Sequence, residues 1–163
     1  MMPVLKNCIY MLLLLTYQFV QGQHEQSKAV YFELAGSGGL GSINYEKQFY
    51  QKNNMALALR AGLSVAPIDK NNGAGLVFPI MMHSIIGTNA HKLEFGLGQG
   101  VTITTKGSFF ALTTGALGYR YQADNKPWFY RATYTPLISY LIDFQVQHWA
   151  GLSVGYTLQS NKK

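Results

Sequence analysis

The charges inside the apolar stretches of this chain keep one parity. In Val30-Tyr31-Phe32-Glu33-Leu34-Ala35 the bulky Val30, Phe32 and Leu34 alternate with Glu33. The same relation recurs at Ile43-Asn44-Tyr45-Glu46, Leu57-Ala58-Leu59-Arg60-Ala61, Leu93-Glu94-Phe95, Tyr119-Arg120-Tyr121 and Tyr130-Arg131-Ala132. A strand sends successive side chains to opposite faces, so each segment becomes a ribbon with one apolar face and one ion-bearing face. The apolar faces carry Tyr, Phe and Trp, and the other faces carry Gly, Ala, Ser and Thr. Small and charged residues suit a narrow, filled lumen, and a broad aromatic-edged face suits lipid. Together they are the pattern of a transmembrane β-barrel. A soluble barrel with its greasy face inward and an apolar ligand inside is the competing arrangement. Composition argues against it: Asp, Glu, Lys and Arg make up 12% of the chain, against about 25% in soluble domains.

The first residues supply a route to a membrane. Lys6 precedes the run Cys8-Ile9-Tyr10-Met11-Leu12-Leu13-Leu14-Leu15-Thr16-Tyr17, and apolar character ends near Val20. This is short of the roughly 20 apolar residues that a spanning helix needs. A basic start, a short apolar core and small residues near its end read as a secretory signal over 1–22, cut after Val20-Gln21-Gly22. Cys8 is the only Cys, so the mature chain, 23–163, holds no disulfide, thiolate chemistry or cysteine metal site. Removing 22 residues from 163 leaves 141. Eight membrane strands at roughly 9–11 residues each fill about 80 of these and leave the rest for turns. The formal charge of +6 is spread over scattered lysines. That is the distribution of solvated turns, not of a nucleic-acid footprint.

Turn chemistry places the strands. The first is predicted over Ala29 to Gly36, followed by a Gly-rich hairpin turn at Ser37-Gly38-Gly39-Leu40-Gly41 and a second strand from Ser42 to Tyr50. The remaining strands are expected at Met55–Ala66, Gly75–Ser84, Lys92–Thr104, Ser108–Gln122, Trp128–Thr135 and Gln147–Leu158. Asp124-Asn125-Lys126-Pro127 is a turn signal. Ile138 to Gln145 reads as loop or strand extension. The fourth strand is apolar on both faces and holds Pro79, which cannot donate to a ladder. It calls for a bulge, an early end, or a second face packed against bulky lumen neighbours.

With both termini periplasmic, one rim gathers Tyr31, Phe49, Tyr50, Tyr119, Tyr121, Trp128, Tyr130 and Tyr156. The opposite rim gathers Phe109, Phe110, Tyr134, Tyr140, Phe144 and Trp149. Two aromatic girdles are expected where rings meet the lipid–water boundary.

These segments, with Leu59-Arg60-Ala61-Gly62, His91-Lys92-Leu93-Glu94-Phe95-Gly96-Leu97-Gly98, Gly118-Tyr119-Arg120-Tyr121 and Gly151-Leu152-Ser153-Val154-Gly155-Tyr156, carry a resemblance. The chain resembles the small eight-stranded outer-membrane β-barrel proteins of Gram-negative bacteria, especially the uncharacterised Bacteroidetes type. The resemblance implies an antiparallel up-and-down barrel in the cell outer membrane. It also implies contact with the lipid bilayer, lipopolysaccharide and the outer-membrane assembly machinery. It implies no assigned activity. Such barrels often close on an aromatic residue, whereas here Tyr156-Thr157-Leu158 is followed by Gln159-Ser160-Asn161-Lys162-Lys163.

The one constellation with chemical content is interior. Glu33, Glu46 and Glu94 share the lumen face with Arg60, Arg120 and Arg131. An eight-stranded interior is just wide enough for side chains to fill. Ions buried there must pair, because each loses several kcal/mol of hydration on burial. Three acids and three bases therefore read as a structural network, with Glu94 the first candidate partner of Arg120. Inward Gly96, Gly98 and Gly100 are expected to make room for the long Arg side chains. His24, His83, His91 and His148 lack metal-ligand spacing. His83-Ser84 prompts comparison with lipid A deacylases and acyltransferases, but neighbouring strand residues point to opposite faces and cannot share a proton. The expectation is a monomeric structural or interaction barrel with a filled interior, no open pore, no catalytic, cofactor or metal residues and no nucleic-acid partner. A lipid-modifying enzyme and the secreted soluble barrel remain the alternatives.

Overall fold

The computed structural model describes residues 27–123, 125–139 and 144–158; the proposed leader and cleavage point lie outside them. Eight antiparallel strands follow one another round a closed ring. They are β1 (Lys28–Ala35), β2 (Gly41–Lys52), β3 (Met55–Asp69), β4 (Gly73–Ile86), β5 (His91–Thr104), β6 (Phe109–Tyr121), β7 (Trp128–Ser139) and β8 (Gln145–Leu158). β1 closes the ring on β8, from Lys28 opposite Leu158 to Ala35 opposite Gly151. The expected eight strands are all present. β2, β3, β5 and β8 run one to three residues longer than turn chemistry indicates and β4 and β7 four, while β1 keeps its length and β6 is two residues shorter. Ile138 extends β7, and Gln145 opens β8.

Burial alternates along the strands and inverts the arrangement of a soluble barrel. Glu33, Glu46, Arg60, Glu94, Arg120 and Arg131 are each 2% exposed or less. Large apolar residues cover the outside: Leu97 is 67% exposed, Leu152 65% and Ile43 64%. Water would not tolerate such a continuous surface, and lipid would.

Pro79 produces no bulge. β4 keeps an unbroken register with β5 from Gly75 opposite Thr104 to Ile86 opposite Leu93. Its pairing with β3 lapses between Ile80 and Val77 and resumes in the same register. Pro79 therefore costs a local stretch of ladder on one edge only, and its ring is buried in the lumen. The register shifts lie elsewhere, at Gln48/Tyr50 in β2 and Pro67/Asp69 in β3.

The girdle assignment needs correction. Tyr119, Tyr121, Trp128, Tyr130 and Tyr156 are exposed on the outer face near the end that carries both termini. Tyr31 is not among them: it is 2% exposed and packs edge-on against Phe129 inside. It shares the parity of Glu33, and that parity decides. At the far end Phe109 and Phe144 face outward, while Phe110 and Trp149 line a cavity in the barrel mouth. Tyr140 lies outside the described residues.

Candidate functional site: a chain of ions across the lumen

Six strands deliver the six ions to one belt inside the barrel. Arg60 on β3 pairs with Glu33 on β1. The other Glu33 oxygen meets Arg131 of β7 at 3.0 Å. Arg131 reaches Glu94 of β5 at 3.3 Å. Glu94 also contacts Nε of Arg120 on β6, and Arg120 donates to both oxygens of Glu46 on β2, at 2.9 and 2.8 Å. The result is one alternating series, Arg60–Glu33–Arg131–Glu94–Arg120–Glu46, with no net charge. β6 and β2 stand four strands apart in a ring of eight, so the Arg120–Glu46 pair joins facing walls of the barrel. This is how buried ions become tolerable: each hydration loss is offset by paired partners and hydrogen bonds.

Two features of this series run against simple neighbour rules. Glu46 and Arg60 are directly opposite in the β2–β3 register, yet Arg60 binds Glu33 and also donates to Asn44 Oδ1 at 3.0 and 2.9 Å. Arg120 and Arg131 are directly opposite across β6–β7, an unfavourable placement for like charges. Glu94 resolves it by giving one oxygen to each guanidinium.

Aromatic rings complete the belt. The Tyr31 ring lies beneath two guanidinium groups, 4.3 Å from Arg131 and 5.3 Å from Arg60. Arg120 lies 4.3 Å from the Phe129 ring. Cations above ring faces gain cation–π attraction, and more so when desolvated. Phe129 fits because its cross-strand partner is Gly155, where an added Cβ would stand 2.2 Å from the ring. Glycines on the lumen face thus shape the belt, but not as expected for β5. The space beside Gly96 is taken by His83, and that beside Gly98 by Met81, not by arginines.

Sequence reading missed His83, Met81, Asn44, Tyr31 and Phe129 as belt members. Parity could have found them: Asn44, Tyr31 and Phe129 each stand two residues before a lumen ion. His83 is fully buried with Nδ1 3.9 Å from Glu94, whereas Ser84 is on the other face. The two do not meet. His91 and His148 lie outside, against Tyr119 and Tyr134 respectively, and His24 is outside the described residues. Among the described residues no group of three potential metal ligands comes together.

Cavities flank the belt. The one at the far mouth has a volume of about 530 Å³, and the one at the terminal end about 360 Å³. Their walls share no residue, and neither wall includes any of the six ions.

No protein-family model and no curated protein sequence matches this chain. Solved structures do. The N-terminal β-barrel domain of Pseudomonas aeruginosa OprF is similar at 15% identity, covering 85% of this chain and all of that one, with a TM-score of 0.56. The Yersinia pestis outer membrane protein Ail, determined in a phospholipid bilayer nanodisc, is similar at 14% identity, covering 83% of this chain and all of that one, with a TM-score of 0.57. Neither gives support to the narrower Bacteroidetes resemblance. At these identities the likeness concerns architecture: this chain has the fold of the eight-stranded outer-membrane β-barrels.

Proposed function

We propose that this chain is an integral outer-membrane barrel whose role is structural or interactive, with a closed lumen and no enzymatic activity. The observation that carries the reading is the buried six-ion series inside an apolar exterior. A charged belt joining facing walls leaves side chains where a channel would need water, and the outer face is one that only lipid solvates. The similarity to OprF and Ail supports the outer membrane as its location. The partners that follow are the lipid bilayer, lipopolysaccharide and the assembly machinery, with the chain acting as a monomer. The lipid-modifying alternative gains nothing from its motivating pair, since His83 and Ser84 occupy opposite faces.

Fractionation of cells expressing the full chain tests the location. The protein should sediment with outer membranes, need detergent for release, and migrate differently on a denaturing gel before and after heating. Recovery as a soluble species would refute the reading. Planar-bilayer recording tests closure: the purified protein should give no stable conductance steps, and reproducible ion-selective steps would show an open lumen.

A further inference from the structure

The barrel wall is incomplete on one side of its far end. Pairing of β1 with β8 stops at Ala35 opposite Gly151, but β8 runs on to Gln145, paired there only with β7. Pairing of β2 with β3 stops at Ser42 opposite Ser64, but β3 runs on to Asp69 along β4. Beyond the short β1–β2 hairpin, residues 145–150 and 65–69 therefore form two strand edges with no strand between them among the described residues. The turn that could fill the gap bends inward instead. Ala35, Gly36 and Gly39 have φ of 57°, 83° and 85°, and Gly36, Ser37 and Gly38 are buried. Ser37 donates to Glu33 at 3.4 Å.

The far cavity opens onto this notch. Pro67 and Ile68 from one edge, Gln147 and Trp149 from the other, and the inturned Ser37-Gly38 all line it. Its inner wall holds none of the six ions and sets Val77, Phe110, Leu112 and Leu137 beside the hydroxyl-bearing Thr102 and Thr114. The notch also lies at the level of the lipid-facing surface. Val65, Leu76, Ile103 and Phe109 are consecutive cross-strand neighbours on the outer face, 63%, 39%, 50% and 65% exposed. Val65 itself stands on the notch edge.

We infer that the notch is a lateral portal through which one hydrocarbon chain of a lipid in the surrounding leaflet enters the far cavity. The inference rests on the membrane placement proposed above. A cavity of about 530 Å³ falls in the range of small-molecule pockets, about 300–1,000 Å³. Water there would find Thr102 and Thr114 but otherwise face Val77, Phe110, Leu112 and Leu137, and apolar surface of this kind favours an apolar occupant. A lipid chain reaches the cavity without crossing water, because no described strand closes the wall where the outer surface is apolar. The amides of Gln145 and Gln147 at the mouth suit the polar end of the same lipid.

The test is photo-crosslinking of the full chain in phosphatidylcholine vesicles containing a lipid with a diazirine near one chain terminus, with adducts mapped by mass spectrometry. Adducts are expected on outward Leu97 and Leu152 and also on interior Leu112 and Leu137. Gly100→Phe should fill the cavity, since a Cβ at Gly100 meets nothing closer than 3.9 Å. It should remove the interior adducts and leave the outward ones. Adducts on outward residues alone in the wild-type chain would overturn the portal while leaving the membrane reading intact. Adducts on neither set would overturn both. A crosslinked dimer joined through 145–150 in place of interior adducts would show that a second copy covers the notch, and would also overturn the proposal. Should Gly100→Phe fail to fold, the wild-type adduct map still decides.

Discussion

Replacing Arg120 with Met removes the ion that ties β6 to both β2 and β5. The Met side chain keeps much of the stem packing, so the loss is electrostatic. Glu46 then has no ion-pair partner among the described residues, since Arg120 is its paired base. Glu94 keeps Arg131 at 3.3 Å. Two unit charges with centres about 4 Å apart attract by about 4 kcal/mol at an effective dielectric of 20. Stranding one member of a buried pair costs about 3–5 kcal/mol by experience with other proteins. The cation–π contact with Phe129 at 4.3 Å adds about 0.5–2 kcal/mol to the loss. Arg120→Met should therefore lower unfolding stability by about 4–7 kcal/mol, read by urea titration of vesicle-inserted protein with the heat-shift gel as a second probe. Double-mutant cycles then rank the partners. Glu46→Gln should recover the most, because it removes the stranded charge. Glu94→Gln should recover less, because Glu94 retains Arg131 and its own removal leaves the opposed Arg120 and Arg131 positions unbridged in the parent. Glu33→Gln should show the smallest coupling, since Glu33 pairs with Arg60 and Arg131 but not with Arg120. Additive losses with both Glu46→Gln and Glu94→Gln would refute the cross-lumen assignment.

Three further outcomes are expected. Leu97→Arg on the outer face should cost about 2–4 kcal/mol and impair insertion. Equal stability of Leu97→Arg and wild type in vesicles would show that the facing is wrong. Gly155→Ala should push the Phe129 ring from its place and cost about 1–3 kcal/mol, with Phe129→Leu restoring part of the loss in urea titrations; a neutral Gly155→Ala would contradict the packing. Ala35→Gly should stabilise the barrel by about 1 kcal/mol, because Ala35 sits at φ 57°, ψ −157°, a region essentially open only to Gly; unchanged or lower urea resistance would argue against that backbone.

Strand parity, turn chemistry and the sparseness of charge determined the eight strands, the outward apolar face and the identity of the six interior ions. These are local properties: which face a residue occupies follows from counting by two along one strand. Of their pairings, sequence reading anticipates the contact of Arg120 with Glu94, but not the rest. Arg60 takes Glu33 two strands away instead of Glu46 directly opposite, and Arg120 takes Glu46 on the facing wall. Long side chains in a closed ring choose among ions from every strand at once, so pairing depends on register accumulated around the barrel. Tyr31 and Phe129 show the intermediate case. Their parity was readable, but their aromatic character pointed to the lipid boundary until the belt revealed rings beneath guanidinium groups. The far end belongs to tertiary structure alone. Gly36-Ser37-Gly38-Gly39 announced a turn, but only the crowding of Glu33, Gly151 and Ser42 around it shows that the turn bends inward. That inward bend leaves two longer neighbouring strands with edges that no described strand pairs above the hairpin, because a turn packed inside the lumen cannot also complete the wall.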